Sequence, residues 1–460
     1  MNNHQPPPRI HVLAKPTGAI CNLACSYCFF LDKELLYPGS HFRMTDEMLE
    51  TYIRQLIAAH RTPQVTVAWQ GGEPTLMGVE FYRKAIEFQE KYRKPGMTFE
   101  NTMQTNGTLL DDEWCQFFKE NDFLIGLSLD GPREVHDFYR MNKGGQGTFD
   151  KVIRGLRLLQ KHGVDYNILT TVNHINADYP LEVYRFLRDE AGTDWIQFIP
   201  VVERVDEQGL TLVQEGSQVS ERAVQPEQFG SFLTAIFDEW VRHDVGQVYV
   251  QTFEAAVRNW MGLASSGMCV FDETCGAGLA LEHNGDLYAC DHYVEPDYKL
   301  GNINDTEIIE LVASEGQFKF GQDKLNALPQ QCLNCEVRFA CHGECPKNRF
   351  RTTVDGEDGL NYLCAGWYKF FTHIDHPMQI ITSLLRAGRP AAEVMGILAR
   401  EEAALRAQVD QAGGNAPCPC GSGRKVKHCH GRKPSVNGHT PSGLPAYQAR
   451  PRASVAAVSE

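Results

Sequence analysis

Three cysteines near the start of the chain carry its most specific chemistry: Cys21-Asn-Leu-Ala-Cys25-Ser-Tyr-Cys28. Thiols spaced in this way can ligate three corners of a four-iron four-sulfur cube, provided the loop curls so that the sulfurs converge. The fourth iron then lacks a protein ligand. Next to Tyr27, that open iron can chelate a small molecule through an amine and a carboxylate, the pair that S-adenosylmethionine offers. The competing reading is a zinc site or half of a disulfide pair. Structural zinc takes four ligands, and the next candidate, His41, already follows a Pro-Gly turn.

The elements that must position this loop are legible around it. Apolar runs at 10–14, 65–69, 99–105, 124–129, 165–172 and 195–202 read as strands, and amphipathic stretches at 46–60, 79–92, 111–120, 148–162 and 180–190 read as helices between them. Thr45 is a candidate N-cap for the first helix. This is an α/β pattern of repeated β-α units; six of them make a partial (β/α)6 barrel of the TIM type, with its active site at the C-terminal ends of the strands. A polar loop, 203–224, and a closing helix, 226–243, complete that domain.

At 460 residues the chain predicts two or three domains. The residues before the first strand are polar and proline-rich, with no apolar segment long enough for a signal peptide or a membrane span. That implies the cytoplasm and no membrane partner. Fifteen cysteines in a reducing compartment point to metals rather than disulfides. A formal charge of −14 argues against a phosphate-tracking surface, so a nucleic-acid role would have to be local.

The Cys21–Cys28 spacing, with an aromatic just before the last Cys, resembles the radical S-adenosylmethionine family. Gln70-Gly71-Gly72-Glu73-Pro74, after the second strand, is similar to that family's second motif, which implies that Gly72 and Glu73 meet the amino group of the cofactor; alone it would be a turn. The resemblance also places Ser128 on the ribose and Arg140 on the carboxylate, where a planar guanidinium suits bidentate contact. It places Val202, through its backbone, beside the adenine.

A second composition begins after residue 243. Eight cysteines stand at Cys269, Cys275, Cys290, Cys332, Cys335, Cys341, Cys345 and Cys364. Two cubes with every iron held by protein need eight thiolates, so none is left over. The order C-x9-G-x4-C (Cys275, Gly285, Cys290) followed by C-x2-C-x5-C-x3-C and a last Cys resembles the SPASM extension of peptide-modifying radical enzymes. A zinc ribbon fits the uneven x5 and x3 spacings poorly. The resemblance implies one auxiliary cluster on Cys269, Cys275, Cys290 and Cys345 and another on Cys332, Cys335, Cys341 and Cys364, making three 4Fe-4S clusters with the first.

Asp291 follows Cys290 directly. A carboxylate there can take a proton from a substrate whose electron leaves through the neighbouring cluster, or it can simply cap a loop. The run Cys290-Asp291-His292-Tyr293, the eight cysteines and the strand Ile-Gln-Phe-Ile-Pro-Val-Val-Glu-Arg resemble the anaerobic sulfatase-maturating enzymes over roughly 9–375. The resemblance implies oxidation of a Ser or Cys in an unfolded sulfatase segment to formylglycine, with Asp291 as general base and flavodoxin or ferredoxin as electron donor. The alternative is a SPASM enzyme that forms thioether or carbon-carbon crosslinks in a ribosomal peptide. A non-catalytic iron-sulfur carrier would leave Gly72, Glu73, Ser128 and Arg140 without a common purpose.

Beyond 376 the sequence predicts a helical segment to 412, interrupted at Gly388-Arg-Pro390. Cys418-Pro-Cys420 with Cys429-His430 then resembles the SEC-C motif, whose four ligands make a structural zinc site over 413–432. The Ser, Pro, Gly and Ala content of 433–460 predicts disorder. The domain scheme is thus a barrel over 1–243, the cysteine-rich domain over 244–375, the helical segment, the zinc motif and the tail.

Overall fold

The alternating apolar runs of the first half form six strands: β1 (His11–Lys15), β2 (Gln64–Trp69), β3 (Thr98–Thr105), β4 (Leu124–Ser128), β5 (Asp165–Val172) and β6 (Trp195–Pro200). They pair in parallel in chain order. The helices between them are α1 (Asp46–Ala59), α2 (Val79–Tyr92), α3 (Asp112–Glu120), α4 (Arg133–Tyr139), α5 (Phe149–His162) and α6 (Pro180–Arg185). Thr45 caps α1 by accepting from the Met48 amide at 3.2 Å, and Asp111 caps α3 by accepting from Trp114 at 3.0 Å. Thus Asp111, read from sequence as helical, stands just outside the helix. The short α4 was not expected. This computed structural model describes residues 10–205 and 216–430. The expected disordered tail, 433–460, and 206–215 of the expected loop lie outside the described residues. On either side of that gap, β7 (Arg204–Val205) and β8 (Gln218–Val219) pair antiparallel.

Apart from a short antiparallel pair, Arg351–Thr352 with Asp358–Leu360, the described strands of the cysteine-rich half join the sheet of the first half. After α7 (Pro226–His243), the two-residue β9 (Tyr249–Val250) adds to β6, and β10 (Gly278–Glu282) pairs parallel with β1 at the other edge. Strands β11 (Asp286–Tyr288) and β12 (Lys299–Asn302) then continue antiparallel. One ten-stranded sheet therefore runs through both halves, and its register sets Lys15 of β1 beside Glu282 of β10.

Past residue 364 the outcome differs from expectation in one respect. The helix begins at Cys364, not near 376, and continues to Arg386 with Pro377 inside it. A proline inside a helix forfeits one hydrogen bond, and here packing compensates. Trp367, Phe370, Phe371 and Ile374 are buried with Phe229, Phe237 and Trp240 of α7 in one apolar core. The two helices approach so closely at Gly230 that a Cβ there would lie 2.8 Å from Gly366 Cα. The break expected at 388–390 is present, and a last helix runs from Glu393 to Gln411. Among the described residues no helix is long and apolar enough to cross a membrane.

Candidate active site

The loop leaving β1 is clamped by backbone and amide contacts that converge on its first cysteine. Ala24 and Ser26 donate to the carbonyls of Met141 and Tyr139 at 2.9 and 3.1 Å. Asn22 donates to Thr108 Oγ1 at 2.9 Å and accepts from Asn106 at 2.8 Å. The Leu23 amide lies 3.4 Å and Asn106 Nδ2 3.7 Å from Cys21 Sγ. N–H groups aimed at a sulfur suit a charged thiolate ligand. Burial pushes the free thiols of Cys21 and Cys25 up to about 11, so ionising them calls for a metal centre. Leu23, Tyr27, Tyr139 and Val201 pack around Cys25 as a small apolar cluster.

The glycines of Gly71-Gly72-Glu73 permit a close approach to this loop. The Gly72 amide donates to Gly18 O at 2.8 Å and Glu73 to Ile20 O at 2.9 Å. A Cβ on Gly72 would sit 2.1 Å from Ile20 O, and Gly71 has φ +120°. The Glu73 side chain, buried, accepts from the Thr75 amide and hydroxyl (3.0 and 2.6 Å), the Thr105 hydroxyl (2.8 Å) and the Asn106 amide (2.8 Å). Its carboxylate thus ties the ends of β2 and β3 together and steers Asn106 toward Cys21.

At the end of β4 a residue that sequence reasoning passed over is central. Asp130, fully buried, accepts from the Thr171 amide at 3.0 Å and from the Tyr27 hydroxyl, and pairs with Arg140 Nε at 3.0 Å. Arg140 lies with its guanidinium carbon 5.6 Å from the Tyr27 ring centroid. Burial disfavours the cation, yet Asp130 and the neighbouring Tyr27 hold its pKa above the usual value. Ser128 accepts from Gln104 at 2.9 Å. Val202 packs into the main core, whereas its neighbour Val201 faces the cysteine loop. The strand predicted to reach 202 ends at Pro200.

Asp291 occupies a short turn, Asp291–Tyr293, and its Oδ1 lies 2.6 Å from Lys15 Nζ. Lys15, 1% exposed, also lies 3.6 Å from Glu282 Oε1, and its ammonium is 4.6 Å from the Phe30 ring centroid. Burial alone would raise the Asp291 pKa, but the Lys15 ammonium, with Lys347 behind it, brings it below the ordinary value and keeps it ionised. Burial holds His292 neutral, with a pKa lowered to about 4, and its Nδ1 is 3.6 Å from Cys345 Sγ. Lys15 was not anticipated. A lone lysine at a strand end looks like an ordinary surface cation until β10 is known to lie beside β1.

The eight later cysteines fall into two neighbourhoods. After burial, the thiol of Cys290 is raised by Cys269 and Cys275, and that of Cys345 by Cys290 and Cys269. Cys364 feels Cys332 and Cys335, and Cys341 feels Cys364 and Cys332. The buried Lys324 ammonium lies against the first group and donates to Val270 O at 3.0 Å. In the tail, Cys418, Cys420, Cys429 and His430 bring their ligand atoms within 4.8 Å of one another, and among the described residues no other such group does. Four N/S donors that close would fill the tetrahedral shell of a zinc ion.

A partial parallel barrel with three cysteines on the loop that leaves its first strand, extended by cysteine-rich segments sharing its sheet, defines a radical S-adenosylmethionine type of protein. Family models agree. Radical SAM superfamily matches 16–187, Iron-sulfur cluster-binding domain (SPASM) matches 273–336, and SEC-C motif matches 415–432. The serine-type anaerobic sulfatase-maturating enzyme of Bacteroides thetaiotaomicron is 47% identical over 396 residues, 85% of this chain and 95% of the relative. The cysteine-type enzyme of Clostridium novyi is 32% identical over 369 residues, 79% and 94% of the two chains. The solved structure of native anSMEcpe with bound AdoMet superposes with a TM-score of 0.73 at 30% identity, over 81% of this chain and 99% of that one. The chain belongs to the anaerobic sulfatase-maturating enzymes, a family of radical S-adenosylmethionine oxidoreductases.

Proposed function

We propose that this enzyme oxidises an active-site serine of a sulfatase polypeptide to formylglycine, and accepts cysteine at the same position. The observation that carries the reading is Asp291, an ionised carboxylate fixed by Lys15 one residue from a cluster ligand. The preference for serine rests on the higher identity to the serine-type relative. A 4Fe-4S cluster on Cys21, Cys25 and Cys28 with S-adenosylmethionine supplies, when bound, the radical that removes a hydrogen from the target β-carbon.

The residues of this chain then orient and protect. Tyr27, Gly72, Glu73, Ser128, Arg140 and Val202 surround the cofactor in this reading. Glu73 acts by bracing the loops, and Asp130 and Thr171 set the Arg140 guanidinium. Asp291 accepts the hydroxyl or thiol proton as the substrate is oxidised. Cys269, Cys275, Cys290 and Cys345 would hold an auxiliary 4Fe-4S cluster, which would supply an acceptor for the second electron, and Cys332, Cys335, Cys341 and Cys364 would hold a further one. Cys418, Cys420, Cys429 and His430 hold a structural zinc. The substrate is an unfolded sulfatase segment, the electron donor a flavodoxin or ferredoxin, and the setting cytoplasmic.

The test is anaerobic incubation of the reconstituted protein with S-adenosylmethionine, dithionite and paired Ser- and Cys-containing sulfatase peptides. Mass spectrometry should show formylglycine from both, faster from the Ser peptide. Cofactor cleavage with unmodified peptides, or a crosslinked product instead, would refute the reading.

A further inference from the structure

One cavity lies on the outer side of the cysteine loop and shares Asn22, Leu23 and Thr108 with the site just described. It has a volume of about 450 Å3, and its lining includes Asn22 and Leu23 of the loop, Asn142, and Lys151 and Arg154 of α5. Asn22 and Leu23 belong to the hydrogen-bonded shell of Cys21 Sγ: the Leu23 amide donates to it, and Asn22 holds Asn106, which also donates to it. The cavity wall is therefore in direct bonding sequence with a cluster ligand.

Its rim is basic. Lys143, next to Asn142, is exposed, as are Lys151 and Arg154, and none of the three is in an ion pair among the described residues. Arg154 instead donates to the carbonyls of Thr108 and Leu110 at 2.8 and 3.5 Å. Asp111 is the one carboxylate in the lining, and it is engaged in capping α3. Elsewhere Lys84, Lys91, Arg133 and Lys161 are each paired with a carboxylate, and the chain carries −14 overall. Unpaired cations on an acidic protein, gathered over the ligand loop of a redox centre, would focus an acidic partner there.

We infer that this cavity and its rim of Lys143, Lys151 and Arg154 form the docking surface of a small acidic one-electron carrier protein. The inference rests on the radical chemistry proposed above and gives its electron donor a place. One electron leaves the reduced carrier and is taken up at the Cys21–Cys25–Cys28 centre; no proton or group moves with it. The carrier is oxidised by one electron, and the centre is reduced by one.

Reduced flavodoxin is the probe and dithionite the control, both with the full-length, anaerobically reconstituted enzyme. Lys143→Glu with Lys151→Glu should lower flavodoxin-driven cofactor cleavage about tenfold at low salt, and dithionite-driven cleavage should stay at the wild-type rate. Added salt should close the gap by slowing wild type, since screening reaches about 10 Å at 0.1 M. Lys143→Arg with Lys151→Arg should keep the flavodoxin-driven rate. Independently of activity, zero-length carboxyl-amine crosslinking followed by peptide mapping should join flavodoxin to Lys143 or Lys151. An unchanged flavodoxin-driven rate, equal loss with both reductants, or crosslinks confined to other lysines would overturn the inference. A wild-type enzyme inert with dithionite would instead overturn the proposed function.

Discussion

At Cys21, Cys25 and Cys28 the protein offers three thiols and surrounds them with buried, aimed groups: Asn106, Tyr27, Asp130 and Arg140. At Cys418, Cys420, Cys429 and His430 it offers four ligands within 4.8 Å and little else, packed on a core of Val409, Cys418 and Val426. A set one ligand short inside a built pocket is suited to chemistry, whereas a closed set on a small core is suited to holding a turn together. Cysteine content alone does not separate the two. The count of ligands and the investment around them do.

The sharpest way to break this contrast is at the first loop. Replacing Cys21, Cys25 and Cys28 by Ala should abolish reductive cleavage of S-adenosylmethionine, and iron analysis should still find the auxiliary metal; retained cleavage would misplace the catalytic centre. Asp291→Asn should cut formylglycine about 100-fold or more, the usual range for loss of a general base, while 5'-deoxyadenosine still forms. Wild-type product from that variant would remove Asp291 from the mechanism.

Lys15→Met strips the buried counter-charge from Asp291 and Glu282. Breaking such a pair costs about 3–5 kcal/mol, and anaerobic denaturant titration should read it. Gly72→Ala forces a Cβ against Ile20 O and should cost about 1–3 kcal/mol, with loss of iron from the first centre before the others. The smallest effect belongs to the tail. Cys420→Ser should release zinc, measured by a chelating dye, yet leave the formylglycine rate essentially at the wild-type value. A large loss would mean that the tail takes part in the chemistry.

The six parallel strands, the Thr45 cap and the break at 388–390 were legible because each rests on local pattern. The three-cysteine spacing was equally legible, since one loop holds all its ligands. What escaped depends on distant pairing. Lys15 acquires meaning only when β10 lies beside β1, and no periodicity in either strand announces that register. Pro377 suits the first turn of a helix by local rule, but aromatic packing between the helix from Cys364 and α7 carries that helix through it. The Val201 side chain faces the loop while that of Val202 packs into the main core, because a one-residue step reverses the face of an extended segment. Glu73 stands at a strand end in the sequence, but its four inward donors come from the turn after it, from β3 and from the turn beyond β3, and no local pattern announces them.

The most direct test follows the hydrogen. A sulfatase peptide deuterated at the β-carbon of its target serine should deliver deuterium into 5'-deoxyadenosine as formylglycine appears. Formylglycine forming while 5'-deoxyadenosine stays free of deuterium would contradict the account.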